Sequence, residues 1–390
     1  MKDKLKIGIV RGMGLNKRDM GIYEFMNKNN KENIEFIGIH SYPERFNVKT
    51  INLKRIRLLG LHALLIFKYL RIAFSYVFGI FEYMLGFRRK TEEIDIFESI
   101  DMAHIYTLQA LQTGKPTIIF CYENIPFNYE WFPYNIIKRL VHKKAKYFMV
   151  CDERIKNTIK IENPHIEDKN ILISPPTIDI DRFKIRGKDE KLMIKYGIKK
   201  DKINILFTGR MIYEKGLFDI LHAIKLLSLK RNDFNLIIAG NSIGSGFKKV
   251  QKRIKKLEIE ECINFIGYID NSEIHILYNC VDIFVLGSRP TKVREEQFGF
   301  VFLEAMASGL PIVGTYSGSL PYVINKEGRI LSSPGDFYQM SNALETLIED
   351  SKMRKNMGEK NREYIEKKFD PKQIMEERIA FYKKVISENT

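Results

Sequence analysis

Short runs of β-branched and aromatic residues alternate with longer segments of helical periodicity along the chain. This alternation is typical of parallel sheets whose strands are connected by helices. In the first half it predicts strands at Lys6–Val10, Ile34–Ile39, Ile94–Phe97, Pro116–Cys121, Tyr147–Cys151 and Asn170–Ile173. In the second half it predicts strands at Ile203–Thr208, Phe234–Ala239, Ile263–Ile266, Ile283–Leu286, Ile312–Gly314 and Gly328–Leu331. We therefore expect an α/β protein with two Rossmann-like sheets.

A break in this pattern separates the two halves. Pro175 and Pro176 cannot continue a helix or an inner strand, and a charged stretch follows them as far as Lys202. A chain of 390 residues also exceeds what one hydrophobic core usually organises. We predict an N-terminal Rossmann-like domain, a C-terminal Rossmann-like domain and a final amphipathic helix, at residues 1–180, 181–370 and 371–390.

Two carboxylates flank the start of a predicted helix in the second half. Glu296 and Glu304 are separated by seven residues, Gly299 precedes the helix formers Val301–Ala307, and a Gly-Leu-Pro sequence ends them. The unpaired N–H groups at such a helix start favour anions, so residues 297–301 are a candidate phosphate cradle. The alternative is an ordinary amphipathic helix that carries two glutamates.

A second motif, from Phe207 to Gly216, follows a predicted strand and places Arg210 and Lys215 beside Gly209. A nucleoside diphosphate gains negative charge as it leaves a sugar, so fixed cations stabilise that transition state more than the ground state. Arg210 has the fork geometry for phosphate oxygens, and Lys215 supplies a point charge. Taken alone, the string also fits a solvated charged loop.

Together the two motifs resemble the nucleotide-sugar site of the retaining glycosyltransferases of family 4, which have the GT-B fold. The likeness rests on Glu-x7-Glu with Phe-Gly inside it, on Glu-Ala-Met-Ala-Ser-Gly-Leu-Pro-Ile-Val, and on Gly-Arg-x4-Lys-Gly. The resemblance extends from about Ile171 to Lys383. It implies two Rossmann-like domains that face each other across a cleft, with the C-terminal helix crossing back to the N-terminal domain.

The resemblance also implies roles for individual residues of the C-terminal, donor-side domain. Arg210 and Lys215 would bind the donor diphosphate, Glu296 the sugar hydroxyls and Glu304 the ribose hydroxyls, and the first three are candidate catalytic residues. The backbone around Gly240 and Gly267 would approach the nucleotide. The predicted donor site comprises Gly209, Arg210, Lys215, Gly240, Ile266, Gly267, Glu296, Phe298, Gly299, Phe300, Val301 and Glu304.

The N-terminal half resembles the family less closely. Gly12 and Gly14 form a glycine loop after the first strand, which we assign to the acceptor side. Where many family members place a histidine that faces the reaction centre, this chain has Glu123 and Asn124. Glu123 is a fourth candidate catalytic residue, because a carboxylate can accept a proton or pair with an oxocarbenium-like centre. An exposed strand-end glutamate is the alternative.

The net charge of +16 is concentrated between Arg45 and Lys90, where ten Lys and Arg stand against one acid, Glu82. Two apolar stretches lie within this segment, but its longest uncharged run has ten residues, too few to span a bilayer. The pattern fits an interfacial segment on an anionic membrane, and equally a pair of core helices with solvated basic edges. Nucleic acid is disfavoured because no recognition module accompanies the charge.

The remaining composition predicts neither a metal nor a cofactor. The four cysteines are dispersed without a Cys-x-x-Cys pair, so we expect them to be reduced and mostly buried. The seven histidines show no ligand spacing, and the Asp179-Ile180-Asp181 sequence lies in the linker, where the family likeness explains it. The first residues lack the pattern of a signal peptide. We therefore expect a cytoplasmic, metal-independent protein.

The sequence predicts a glycosyltransferase that moves a hexose-type sugar from a nucleoside-diphosphate sugar to a hydroxyl acceptor with retention of configuration. The segment 45–90 favours a glycan acceptor that is lipid-linked, or a peripheral location on the inner face of the membrane. The alternatives are a non-catalytic nucleotide-sugar-binding subunit, which the altered Glu123 position favours, or another GT-B enzyme such as a sugar-nucleotide epimerase. The four charged residues of the two motifs favour the transferase.

Overall fold

The computed structural model describes residues 4–12, 17–41, 54–60, 82–132, 134–241 and 246–389. Its contacts divide the chain into two compact units. Unit 1 comprises Met1–Thr177 together with Pro371–Thr390, and unit 2 comprises Ile178–Asp370. The C-terminal helix therefore belongs to the unit formed by the N-terminal half of the chain.

Unit 1 is built on a seven-stranded sheet in which each neighbouring pair is parallel, with the strand order β3-β2-β1-β6-β7-β8-β9. An antiparallel pair, β4 with β5, lies outside it. The strands are β1 Leu5–Val10, β2 Ile34–His40, β3 Lys54–Arg57, β4 Leu59–Gly60, β5 Met84–Leu85, β6 Ile96–Ile100, β7 Thr117–Cys121, β8 Tyr147–Val150 and β9 Ile171–Ile173. The helices are α1 Lys17–Asn29, α2 Phe87–Lys90, α3 Ile105–Gln112, α4 Tyr134–His142 and α5 Glu153–Glu162, with a 3₁₀ turn at Asp168–Asn170.

Two strand predictions in this sheet need correction. The strand predicted at Ile94–Phe97 runs from Ile96 to Ile100, and the carboxylate of Asp95 before it accepts a hydrogen bond from the backbone N–H of Lys6 at 2.7 Å. Strand β3 was missed, since the segment Lys54–Arg57 looks like part of a basic run rather than an alternating strand. Among the described strands it pairs with β2 and stands at one end of the strand order.

Unit 2 is built on a six-stranded sheet of parallel pairs in the order β12-β11-β10-β13-β14-β15. The strands are β10 Ile203–Thr208, β11 Phe234–Ala239, β12 Ile263–Gly267, β13 Ile283–Val285, β14 Ile312–Thr315 and β15 Arg329–Ser332. The helices are α6 Glu190–Lys195, α7 Leu217–Ser228, α8 Gly246–Leu257, α9 Ile274–Asn279, α10 Phe300–Ala307, α11 Leu320–Val323, α12 Phe337–Glu349 and α13 Ser351–Lys368, with 3₁₀ turns at Tyr213–Lys215, Glu260–Cys262 and Lys326–Gly328. The prediction of two Rossmann-like sheets is confirmed.

The last helix, α14 Pro371–Ser387, carries two polar side chains into the core of unit 1. The hydroxyl of Tyr382 donates to the carboxylate of Glu98 on β6 at 2.5 Å, and Arg11 donates to the same carboxylate at 2.8 Å. Arg378 donates from Nε to the hydroxyl of Ser174 at 2.7 Å. Because these groups are almost fully buried, the helix is held to the sheet by charge as well as by apolar packing.

All four cysteines are free and buried, which confirms the sequence prediction for them. The basic segment 45–90 lies largely outside the described residues, which include only its parts 54–60 and 82–90. Within the described ranges, no helix combines the length and the apolar content that crossing a bilayer requires.

Candidate active site

Three adjacent strands of unit 2 end in glycines that touch one another. Strand β12 ends at Gly267, whose carbonyl accepts a hydrogen bond from the N–H of Gly240 at 2.7 Å. Gly209 donates to the carbonyl of Ala239 at 3.1 Å. A Cβ atom on Gly240 would lie 2.0 Å from the carbonyl oxygen of Gly209, so no other residue fits there. The carboxyl edge of this sheet is thus lined by bare backbone.

The loop after β10 brings Lys215 back over this edge. Lys215 closes the 3₁₀ turn Tyr213–Lys215, and Gly216 follows in the left-handed region with φ 63°. A Cβ atom on Gly216 would lie 1.7 Å from the carbonyl oxygen of Gly287, just beyond β13. The glycine therefore allows the lysine turn to pack directly on the neighbouring strand end.

Lys215 and Glu296, which the sequence assigned to one site, are in direct contact. The Lys215 ammonium donates to both carboxylate oxygens of Glu296, at 3.0 Å and 2.7 Å, and the Ser288 hydroxyl donates to the second of them at 2.8 Å. The backbone carbonyl of Glu296 accepts from the N–H of Ser319 at 2.9 Å. Because the two side chains are only 20% and 12% exposed, water screens this pair weakly.

A second ion pair, which the sequence analysis missed, fixes the same loop. Arg289 donates to both oxygens of Asp219, at 2.5 Å and 2.7 Å, and to the hydroxyl of Tyr213 at 2.8 Å. The hydrogen bonds with Asp219 raise the pKa of Arg289 above its ordinary value. One signal in the sequence was available, since Asp219 lies among apolar neighbours in the first turn of its helix, and a buried carboxylate requires a partner.

The helix predicted at Val301–Ala307 begins one residue earlier as α10, with Gly299 preceding it at φ 74°. Phe298 is buried and packs against Phe300, with ring centroids 5.4 Å apart. The side chain of Phe298 thus belongs to the core, and only the backbone of this residue can serve a ligand. The N–H groups at the start of α10, together with the helix dipole, favour an anion at this point.

Glu304 lies in α10 and is positioned by a tyrosine that the sequence analysis did not assign to the site. The hydroxyl of Tyr278 donates to Glu304 Oε2 at 2.9 Å and lies 3.2 Å from the hydroxyl of Thr208 at the end of β10. Tyr278 is fully buried on α9, so its hydroxyl cannot move without disturbing the core. This chain of contacts holds Glu304 against the same sheet edge as the glycine turns.

Among the described residues, two other predicted donor-site side chains, Arg210 and Ile266, form no ion pair or hydrogen bond with the pair of Lys215 and Glu296. Arg210 follows Gly209 directly, but its side chain is exposed, and no carboxylate of the described residues lies within ion-pair distance of it. Ile266 lies within β12, one residue before Gly267, and its side chain is partly buried. The structure therefore brings Lys215 and Glu296 together but leaves Arg210 at the rim.

Three of the predicted acceptor-side residues, Gly12, Glu123 and Asn124, follow strands β1 and β7 at the carboxyl edge of the sheet in unit 1. Gly12 follows β1, and a Cβ atom there would lie 2.1 Å from the ring of Tyr106. Asn124 is buried, and its backbone carbonyl accepts from Thr158 at 3.2 Å. Gly14 lies outside the described residues.

The alternative interpretation of Glu123 as an exposed strand-end carboxylate is wrong. Its side chain is 9% exposed, and its two oxygens accept from the N–H of Ile125 at 2.9 Å and from Asn128 at 3.1 Å. Burial raises the pKa of Glu123 above its ordinary value, although both hydrogen bonds oppose the shift. Through these two hydrogen bonds Glu123 holds the loop that follows it.

An ionisable group on the neighbouring strand end was also missed. Asp101 follows β6 with its backbone in the left-handed region at φ 52°, and its carboxylate accepts from the N–H of Tyr122 at 2.9 Å.

His104, close by in the sequence, is paired with a glutamate: its Nδ1 lies 2.6 Å from Oε2 of Glu82. Burial alone would lower the pKa of His104, but the charge and the hydrogen bond of Glu82 raise it above its ordinary value.

A metal centre is not assembled in the described part of the chain, where no three His, Cys, Asp or Glu side chains converge. Asp179 uses a carboxylate oxygen to accept from the backbone N–H of Arg182 at 2.9 Å. This is the ordinary cap of a turn.

Comparisons with known proteins were made on the whole chain. The family model described as glycosyl transferases group 1 matches residues 188–364. The chain is 24% identical over 306 residues to the capsular polysaccharide biosynthesis glycosyltransferase CapM of Staphylococcus aureus, covering 73% of this chain and 75% of the relative. It is 28% identical over 256 residues to the N-acetyl-alpha-D-glucosaminyl L-malate synthase of Bacillus anthracis, covering 65% of this chain and 64% of that relative. The crystal structure of Anabaena Alr3699/HepE in complex with UDP matches with a TM-score of 0.76 at 15% identity, over 97% of this chain and 99% of that chain. The structural match confirms the predicted fold class.

Proposed function

Residues 188–364 belong to the glycosyl transferases group 1 family, and from this premise we propose that the protein transfers a hexose-type sugar from a nucleoside-diphosphate sugar to a hydroxyl acceptor with retention of configuration. The general activity follows from the family match and the similar proteins: the protein is a glycosyltransferase that uses a nucleotide sugar. The observation that carries the finer proposal is the contact between Lys215 and Glu296 beside a helix start at the carboxyl edge of the unit 2 sheet.

The donor diphosphate would lie beside the two cations of the loop after β10. Lys215 supplies a partly buried ammonium group, and Arg210 supplies an exposed guanidinium on the same loop. The N–H groups at the start of α10 point towards the same edge. These fixed dipoles and charges need no reorganisation as the leaving group gains charge, so they lower the barrier without a divalent metal.

Glu296 would change partner when the donor binds. Without a ligand its carboxylate accepts two hydrogen bonds from Lys215 and one from Ser288. A diphosphate draws the ammonium group towards itself, which leaves carboxylate oxygens of Glu296 to accept hydrogen bonds from sugar hydroxyls. Lys215 would then bind the phosphate, and Glu296 would bind the sugar.

Glu304 would bind the ribose of the nucleotide. Tyr278 fixes one of its carboxylate oxygens at 2.9 Å, so the orientation of the group is set before the ligand arrives. Vicinal hydroxyls such as those of ribose can donate to a carboxylate held in this way. The glycine turns at Gly209, Gly240 and Gly267 leave room for the nucleotide to lie against backbone.

We propose that retention follows from attack on the face that the leaving group departs from, where the phosphate oxygen takes the acceptor proton. No strong protein base is then required. Gly12, Glu123 and Asn124 are assigned to the acceptor side, and the raised pKa of Glu123 suits a carboxyl that pairs with a hydroxyl group. We further propose that the acceptor is lipid-linked, that the protein acts at the cytoplasmic face of the membrane, and that it needs no further cofactor.

The first test is thermal stability against UDP-, GDP-, ADP- and CMP-sugars, because a ligand at about 100 times its dissociation constant adds roughly 2.7 kcal/mol. A UDP-sugar is the first to try, since HepE, which shares this fold, was crystallised with UDP. Lys215→Ala and Glu304→Ala should abolish the response. Lys230→Ala is the matched control, because its ion pair with Glu345 at 2.7 Å lies on the surface.

Silence of the native protein across the whole panel, or a full response in Lys215→Ala, would contradict the proposal. A native protein that binds one donor but never releases nucleoside diphosphate, with water or with lipid-linked acceptors, would instead be a non-catalytic binding subunit. The two readouts therefore separate the donor site from turnover.

A further inference from the structure

A cluster of large hydrophobic side chains lies on the surface of unit 1, between β7 and the end of α4. Six such side chains within residues 127–140 are at least 40% exposed. They are Phe127, Tyr129, Trp131, Phe132, Ile136 and Leu140. Single exposed apolar residues are normal, whereas a contiguous group of this size marks an interaction site. We call these six residues, together with the basic residues Arg139, Lys143 and Lys144, the aromatic surface.

The loop that carries the aromatic surface is rigidly built. Phe127 and Tyr129 both have left-handed backbones, with φ 58° and 61°, which side-chain-bearing residues adopt only when their surroundings enforce it. The N–H of Phe127 donates to buried Glu162 at 2.6 Å. Lys138 donates to the same carboxylate at 2.6 Å and to the carbonyl of Asn128 at 2.9 Å. The fold therefore strains its backbone twice to hold two aromatic rings at the surface.

Helix α4 presents apolar residues on two adjacent faces, because the two rows are offset by one residue. Ile137 and Val141 are buried in the core of unit 1, as expected for an amphipathic helix. Ile136 and Leu140, one turn apart, face outward and line a shallow groove. The ring of Trp131 packs edge-on against Tyr134 with centroids 4.6 Å apart, which joins the loop and the helix into one surface.

The charge around the aromatic surface is positive. Arg139, Lys143 and Lys144 are exposed on the helix side, and Glu130 is the one acid in the sequence from 127 to 146. Lys138 does not add to this field, because its ammonium is paired with Glu162 at 2.6 Å inside the unit. A second copy of this chain is a poor occupant, since a symmetric contact would bring these cations together.

We propose that the aromatic surface docks the protein on an anionic lipid bilayer. Tyr and Trp rings favour the depth of the headgroups, Phe132, Ile136 and Leu140 would enter the acyl region, and the flanking cations would meet lipid phosphates. The surface is one loop away from the proposed acceptor side, because Asn128 donates to Glu123 at 3.1 Å. This docking extends the membrane location that the proposed function includes, by assigning the surface that makes the contact, and it is measurable without any transfer reaction.

Vesicle co-sedimentation of the full chain tests the proposal, with vesicles of pure phosphatidylcholine and vesicles containing about 30 mol% phosphatidylglycerol. We expect binding to the anionic vesicles, weakened by about 0.5 M salt through screening of the cations. The F132S/I136S variant should bind about tenfold or more weakly because it loses the inserted apolar groups. The I194S/L229S variant is its control, since these residues are 77% and 70% exposed in unit 2.

The basic contribution is tested separately with R139E/K143E and the matched reversal K352E/K367E, whose lysines are exposed on α13. Only the first pair should abolish the preference for anionic lipid. Each variant is checked for an unchanged unfolding temperature, so that loss of binding is not loss of fold. Retention of vesicle binding by F132S/I136S, or an equal loss in both charge variants, would overturn the proposal.

Sedimentation velocity without lipid tests whether a second copy of this chain occupies the aromatic surface instead. A dimer in the native protein that F132S/I136S dissolves would assign the surface to a second copy and overturn the membrane assignment. The nucleotide-sugar response of the two docking variants reports on the donor site independently. If the native protein fails that response but still binds anionic vesicles, the proposed function fails while this inference stands.

Discussion

Replacing Glu98 by Gln should destabilise unit 1 because it removes a negative charge that pairs with Arg11 in the core. The Glu98 side chain is fully buried, and it accepts hydrogen bonds from Arg11 at 2.8 Å, from Tyr382 at 2.5 Å, and from Tyr23. Arg378 lies in the same buried group, 5.6 Å from the ring centre of Tyr23. Breaking a buried charge pair from one side costs about 3–5 kcal/mol, whereas Gln keeps the volume and so creates no cavity.

The pH dependence gives this prediction a second readout. Burial alone would raise the pKa of Glu98, but the charges of Arg11 and Arg378 and the tyrosine hydrogen bonds outweigh it and lower the pKa. A lowered folded-state pKa contributes stability that is complete above the ordinary value of 4.5 and is lost as pH falls through the folded value. Glu98→Gln should therefore remove part of the acid sensitivity of unit 1 along with its stability.

The assay is urea denaturation followed by circular dichroism, with hydrogen exchange in residues 374–385 to assign the loss to α14. Tyr382→Phe should cost about 1.5–3 kcal/mol, since it removes one hydrogen bond to a charged group. Tyr147→Phe is the matched control, because its hydroxyl donates at 2.8 Å to Glu388, which is 32% exposed at the end of the same helix. A Glu98→Gln protein within about 1 kcal/mol of the native stability, or no weaker than Tyr147→Phe, would refute the reasoning.

Three further predictions concern unit 2. Gly240→Ala should cost about 1–3 kcal/mol from the backbone alone, with more from the clash, in urea denaturation, and native-like stability would contradict the close approach. Tyr278→Phe should weaken donor binding about tenfold in calorimetry by releasing Glu304, and an unchanged dissociation constant would show that the tyrosine does not position it. Asp219→Asn should cost about 1.5–3 kcal/mol by weakening the pair with Arg289, and a loss of donor affinity without a loss of stability would mean that the pair belongs to the binding surface itself.

The central strands of unit 2 could be predicted with their bounds because they are buried on both faces. Strands Ile203–Thr208 and Phe234–Ala239 are mostly apolar and are each followed by a glycine, and both predictions match the structure residue for residue. The edge strand Lys54–Arg57 could not be found in the same way, since an edge strand needs no continuous apolar run. Burial, rather than strand propensity, decided which strands were visible in the sequence.

The candidate site was predictable where the chemistry is carried by local motifs. Lys215 is followed directly by Gly216, and Glu296 and Glu304 lie on either side of Gly299 in one motif, which leaves a pattern in neighbouring residues. Tyr278 leaves no such pattern, because its role depends on the packing of α9 against α10. Asp219 was partly predictable, since a carboxylate among apolar neighbours indicates a buried partner, but the sequence does not identify that partner. Contacts between distant residues require the folded structure.

The contact between Lys215 and Glu296 resolves a conflict that the sequence contains. A site for a diphosphate needs positive charge, yet the motif places a carboxylate among its cations. A partly buried lysine without a counter-charge would be costly in the unliganded protein, and Glu296 together with Ser288 removes that cost. In the proposed donor site an arriving diphosphate would replace the carboxylate as the partner of Lys215, and Glu296 would then need donors that a sugar can supply and a bare nucleotide cannot. On that proposal the carboxylate would make the site selective for the intact donor over its nucleoside-diphosphate product, which is the preference that turnover requires.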